Sequence, residues 1–226
     1  CCAVALTWGE RVWAVDYLTD TTLTNQQIAD TNMTIAYGNG LAAVMNANNT
    51  TFTLTRDVDI GGLGGSGLLN LNQSTLTLGD ALYLGNAGGF PLTRASSGVL
   101  NVGSGSVVNA PFITIGQGTA FGAGGGGVMN IAQGGTVNLL TSSGLLAIGI
   151  DGATGTLNID GTLNPMTLGL VLGSELNSGD GTGTAIVNIN QGGVFATNAR
   201  MILSEASTQF NLNGGTLLIN PVDLSV

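Results

Sequence analysis

The sequence predicts an all-β chain folded as a parallel β-helix, a β-solenoid with three short strands per coil and about 28–31 residues per repeat. Three observations predict it. An apolar–Asn–apolar motif returns at a nearly constant step. Two further short alternating runs follow it within each period. Glycine makes up 38 of the 226 residues and falls in almost every window, at a cost of roughly 1 kcal/mol each in a helix.

The first strand of each repeat carries the motif. It reads Leu69-Asn70-Leu71, Leu100-Asn101-Val102, Met129-Asn130-Ile131, Leu157-Asn158-Ile159, Val187-Asn188-Ile189 and Phe210-Asn211-Leu212, with steps of 31, 29, 28, 30 and 23 residues between the Asn positions. The second run is short and alternating: Thr75-Leu76-Thr77-Leu78, Ser106-Val107-Val108, Thr136-Val137-Asn138-Leu139, Gly161-Thr162-Leu163 and Gly193-Val194-Phe195. The third ends in Gly or Ser: Leu82-Tyr83-Leu84-Gly85, Ile113-Thr114-Ile115-Gly116, Leu146-Ala147-Ile148-Gly149, Leu170-Val171-Leu172-Gly173 and Met201-Ile202-Leu203-Ser204. Spacing two marks each run as a strand, and the Gly, Asn and Ser between them mark turns. A propeller blade needs about four strands and more residues than this period supplies.

Strand periodicity then assigns the faces. In each motif the two apolar residues point inward and the Asn outward, so Leu71, Val102, Ile131, Ile159 and Ile189 are expected to stack inside. Asn70, Asn101, Asn130, Asn158, Asn188 and Asn211 are expected to form an outward ladder, each amide bonded to the next coil as in stacked sheets. Loops of unequal length recur at one corner, at Asn86–Pro91, Gln117–Gly122, Asp151–Gly155 and Glu175–Gly181. The Thr75/Thr77 pair is not expected to recur in register, which counts against a regular Thr face.

Residues 1–60 do not follow the repeat. They are read as an N-terminal cap or inter-subunit pairing segment, with a degenerate first coil at Thr50–Thr55 and Asp57–Gly62; residues 61–226 are the solenoid repeats. Within the first segment, residues 1–35 are the expected cap, because an open coil end exposes unpaired backbone. At the other end no amphipathic helix follows Leu217-Leu218-Ile219, and Val222 and Leu224 extend an apolar edge that invites strand addition. Cys1, Cys2, Trp8, Trp13, Leu217, Leu218, Ile219, Val222 and Leu224 are therefore the candidate inter-subunit residues. Adjacent Cys1 and Cys2 rarely bond each other. Pairing with another chain, lipidation of Cys1, and ordinary thiols all fit. A leader is read as removed or lying outside the given sequence.

Composition excludes several classes. The four Lys and Arg are all Arg (Arg11, Arg56, Arg94, Arg200), His is absent, and the net charge is −9. Without a basic patch, nucleic-acid binding is excluded. No apolar run reaches the length that crosses a bilayer as a helix. Without His or Lys, the common general bases, Schiff-base lysines and imidazole ligands are missing. The acids are scattered. Asp57 and Asp59 share a strand face and read as a solvated pair. Asp151 with Asp160, and Glu175 with Asp180, are the other candidate carboxylates, but none stands out as the flanking pair that glycoside hydrolysis requires. Asn177-Ser178-Gly179-Asp180-Gly181 has oxygen ligands but lacks the repeat of calcium-binding rolls. No catalytic, cofactor or metal residue is assigned, and the chain is read as not an enzyme.

Phrases such as Gly155-Thr156-Leu157-Asn158-Ile159 and Gly134-Gly135-Thr136-Val137 resemble the strand repeats of bacterial autotransporter passengers and secreted adhesins, over roughly residues 67–220. The resemblance implies a right-handed β-helix, secreted or displayed at a cell surface. The chain lacks the alternating segments of a membrane barrel. Two functions are expected from this reading. One is a structural subunit of an extracellular filament or surface layer, a homo-oligomer stacked end to end. The other is an adhesin or binding module for glycan, ice, or a host or abiotic surface, using outward Asn and Thr ladders.

Overall fold

The computed structural model describes residues 14–87, 95–118, 124–140, 144–165, 169–173, 183–197, 200–203 and 207–219. They form twenty-four strands. In chain order these are β1 (Ala14–Tyr17), β2 (Thr21–Thr24), β3 (Gln27–Asp30), β4 (Asn32–Ile35), β5 (Ala42–Asn48) and β6 (Thr51–Leu54). Next come β7 (Val58–Ile60), β8 (Ser66–Asn72), β9 (Thr75–Leu78), β10 (Ala81–Asn86), β11 (Ser96–Val102) and β12 (Val107–Ala110). The third group is β13 (Phe112–Gln117), β14 (Gly125–Ile131), β15 (Thr136–Leu139), β16 (Leu145–Ile150), β17 (Thr154–Ile159) and β18 (Thr162–Pro165). Last are β19 (Gly169–Leu172), β20 (Thr184–Asn190), β21 (Val194–Thr197), β22 (Arg200–Leu203), β23 (Gln209–Asn213) and β24 (Thr216–Ile219).

Every third strand pairs in parallel, giving three sheets of eight strands. Sheet A begins with β1, sheet B with β2 and sheet C with β3. This is a parallel β-solenoid with three strands per coil. Coil length varies more than the sequence motif suggests. The Asn step is 24 residues between Asn46 and Asn70, and 23 between Asn188 and Asn211. The longer central steps come from the corner loops.

Strand pairing does not break at residues 60 and 61. β1 to β6 are the first members of the same three sheets, so residues 14–60 are coils in the solenoid register and not a separate segment. The first coils escaped the sequence repeat because Ala47 stands where later motifs carry a large aliphatic residue, because β2 has a single apolar residue, Leu23, and because in β3 the apolar Ile28 and Ala29 are adjacent and do not alternate. Residues 1–13 lie outside the described residues.

The core is a set of aligned columns. Along sheet B, Ala47, Leu71, Val102, Ile131, Ile159 and Ile189 are register partners, and all are buried. Sheet C contributes Phe52, Leu76, Val108, Val137, Leu163 and Phe195 in one column. Sheet A contributes Ile35, Ile60, Leu84, Ile115, Ile148 and Leu172. Each fully buried aliphatic side chain adds roughly 1.5–3 kcal/mol of transfer free energy.

The corners explain the glycines. Near the end of the sheet A strands, just before the corner to sheet B, the chain passes through a left-handed residue, Gly85 in β10 at φ 66 and Gly116 in β13 at φ 74 among them. A Cβ on Gly85 would sit 1.9 Å from the Gly126 carbonyl oxygen. Only glycine lets the backbone of one coil approach the next this closely. The corner between sheets B and C uses buried hydroxyls instead. Ser74 Oγ accepts from Thr50 N–H at 3.0 Å and donates to Asn72 O at 2.8 Å, and Ser106 Oγ accepts from Ser74 N–H at 3.2 Å. Each hydroxyl satisfies a backbone group that the turn removes from a strand ladder.

Candidate functional site: the asparagine ladder and the exposed last coil

The outward Asn residues of sheet B stack in one register column. Asn70, Asn101, Asn130, Asn158, Asn188 and Asn211 each donate Nδ2–H to the Oδ1 of the preceding coil's Asn, at 2.7–2.8 Å. The column extends one coil further than the motif predicts: Asn46, in Met45-Asn46-Ala47, accepts from Asn70. A step of 24 residues back from Asn70 is the signal that locates it.

Sheet C carries a second amide column. Asn109 Nδ2 donates to Thr77 Oγ1 at 3.2 Å, Asn138 to Asn109 at 2.9 Å, and Asn164 to Asn138 at 3.1 Å. The same apolar–Asn–apolar pattern was legible in Val108-Asn109-Ala110, Val137-Asn138-Leu139 and Leu163-Asn164-Pro165. The Thr75/Thr77 pair recurs in register once, as Thr51/Thr53; above it Val107 and Asn109 take the two places, and Thr returns only in the Thr75 column. Thr51 pairs with Thr75, Thr75 with Val107, Val107 with Thr136 and Thr136 with Thr162. Thr162 then pairs with Val194 and Val194 with Thr216. Variable turn lengths hide this alignment in the linear sequence. The result is an uncharged two-column face of Thr, Val and Asn.

The last described coil differs from those beneath it. Leu212 continues the inward column above Ile189, yet it is 56% exposed where Ile189 is sealed. Ile219 lies above buried Thr197 and is also 56% exposed. Leu217 and Phe210 are partly buried against the core, and Phe210 stacks on Phe195 with ring centroids 6.2 Å apart. Leu218 points outward and is exposed. Of the candidate inter-subunit residues, Leu217, Leu218 and Ile219 thus cluster on one strand. Cys1, Cys2, Trp8, Trp13, Val222 and Leu224 lie outside the described residues.

Among the described residues, the candidate carboxylate pairs are placed as follows. Asp151 and Asp160 flank opposite ends of β17, roughly 20 Å apart by strand rise. Glu175, Asp180 and the Asn177–Gly181 loop lie outside the described residues. Asp57 and Asp59 do share the outer face of sheet A, but the pair is not fully solvated: Asp59 Oδ1 is buried and has no hydrogen-bond partner. A shallow hollow on sheet C, lined by Ala29, Asp30, Thr31, Thr53 and Thr55, holds a single acid. Among the described residues no group of three or more His, Cys, Asp or Glu is placed to hold a metal ion, and no helix is long and apolar enough to cross a membrane.

No family model, curated protein or solved structure matches this chain.

Proposed function

We propose that this protein is a structural subunit of an extracellular bacterial filament or surface layer, assembling head to tail through its coil ends. One observation carries the reading. The inward columns remain open at Leu212 and Ile219, directly above Ile189 and Thr197, which are buried. Beside them, β22, β23 and β24 are the outermost strands of the three sheets, and β1, β2 and β3 the outermost at the other end. A second copy presents a surface with the same three-strand spacing, so stacking would extend all three ladders and cover both Leu212 and Ile219. A contact between unlike ends of identical subunits propagates as a filament when its rotation does not close. The resemblance of the strand repeats to secreted passengers supports an extracellular setting, and the absence of His and Lys supports a role other than catalysis.

Negative-stain electron microscopy and light scattering on the purified chain test the proposal. Filaments, or a ladder of oligomers, are expected. The double variant Leu212→Lys, Ile219→Lys should stay folded by circular dichroism and become monomeric. A wild-type chain that remains monomeric at tens of micromolar would sink the reading.

The recurrence of Thr51, Thr75, Thr136, Thr162 and Thr216 on sheet C favours a second reading, a binding module for glycan or ice. Pull-down on insoluble polysaccharides and ice-recrystallisation assays separate the two. Thr75→Lys and Thr136→Lys should abolish such binding and leave filaments unaffected.

A further inference from the structure

The N-terminal half of sheet A concentrates acids on its outer face. Asp16, Thr34, Asp59, Tyr83 and Thr114 are successive register partners in one column. Asp57 precedes Asp59 by two residues and so projects from the same face. Two of these carboxylates have donors. Asp16 Oδ1 accepts from Thr34 Oγ1 at 2.5 Å, and Asp57 Oδ1 accepts from the Ala81 N–H at 3.1 Å. Asp59 Oδ1 has none, and neither does the buried Oδ1 of Asn32 on the neighbouring strand β4. This patch therefore seals two acceptors away from water with no donor to meet them.

The surroundings of Asp59 are acidic or neutral. Asp57 faces it from its own strand. Thr34, with Asp16 behind it, faces it from β4 and β1. Tyr83 faces it from β10, with Asp80 just before that strand, and Tyr37 approaches from the corner. Arg56 lies one position before Asp57 and is exposed.

We propose that Asp59 is a proton-operated latch on the N-terminal coils: neutral, it adds a donor to a face where two buried acceptors have none and clamps β7 between β4 and β10; charged, it loosens that face. Burial pushes its carboxyl up to about 6, the charge of Asp57 adds to the rise, and a hydrogen bond from the Asn86 side chain opposes it. Because the folded-state value lies above the unfolded one, the folded chain binds the proton more tightly. The stabilisation is fully present below about pH 4. It is lost as pH rises through about 6. Tyr37 and Tyr83 are also raised, first by burial and then by the nearby carboxylates, so both phenols stay protonated across this window.

Hydrogen exchange on the full chain at pH 5 and pH 8, corrected for intrinsic rates, tests the latch together with a carboxyl NMR titration. Asp59 should titrate near 6. Opening of β4, β7 and β10 should be rarer at pH 5 than at pH 8 by about tenfold. Asp59→Asn, which mimics the neutral acid, should be protected at both pH values. Asp57→Asn should lower the Asp59 midpoint. Equal protection of the wild type at pH 5 and pH 8, an unchanged pH response in Asp59→Asn, or an Asp59 titration below about pH 4.5 would each overturn the proposal.

Discussion

Asn130 sits mid-ladder, donating to Asn101 and accepting from Asn158, both at 2.7 Å. Replacing it with Ala leaves one acceptor and one donor half-buried without a partner, which costs about 1–3 kcal/mol. Asn211 only donates within the described ladder, to Asn188, so Asn211→Ala should cost about 1 kcal/mol or less. Urea melts with unchanged slopes would measure the difference; equal losses would show that the amides act independently of their neighbours. Inside the same strands the stakes are higher. Ile159→Asp places a charge at a fully buried position and should cost several kcal/mol, enough to unfold the surrounding coils in a proteolysis assay. Residue chemistry of this kind was legible from spacing alone, because apolar–Asn–apolar on a strand fixes both faces at once. Asp59 was not. Its sequence neighbours Val58 and Ile60 say that it points outward, but only the packing of Tyr83 and Asn86 across the strands decides whether outward means wet.

At the scale of elements, adjacent glycines on β14 make opposite demands. A Cβ on Gly127 would lie 2.1 Å from the Gly116 backbone nitrogen, whereas on Gly126 its nearest neighbour is the Ser96 carbonyl oxygen at 3.6 Å. Gly127→Ala must push two coils apart and should destabilise the chain severely. Gly126→Ala should be neutral, or stabilising by about 0.4–1 kcal/mol through the unfolded state. Thermal melts of the two variants check this, and similar midpoints would show that the corner can yield. Sequence reading found the strands of residues 67–219 because turn formers separate runs of alternating residues. It missed β1 to β5 because a coil can be held by its neighbour's register without displaying a motif of its own. Thr21 to Thr24 pair with Met45 to Asn48, and nothing in Thr-Thr-Leu-Thr announces that partner. The Thr and Val alignment on sheet C was hidden for a related reason. Insertions at a corner shift linear spacing while leaving spatial register intact.

At the scale of the whole molecule, the balance of charge and apolar surface decides how assembly should answer to salt. Each chain carries a net charge of −9, so two copies meeting end to end repel at long range. The surface proposed to meet is apolar at Leu212, Leu217 and Ile219, beside the backbone edges of β22, β23 and β24. Salt then acts on the repulsion and hardly on the attraction. The screening length falls from about 30 Å at 0.01 M to about 8 Å at 0.15 M, short enough to silence charges distributed along the solenoid. Filament mass should therefore rise between these concentrations and hold at higher salt, followed by sedimentation or light scattering at fixed protein concentration. Contacts built on ion pairs would behave the other way. If filaments dissolve as sodium chloride is raised, the ends are held by charge, and stacking through the open apolar columns is the wrong mechanism.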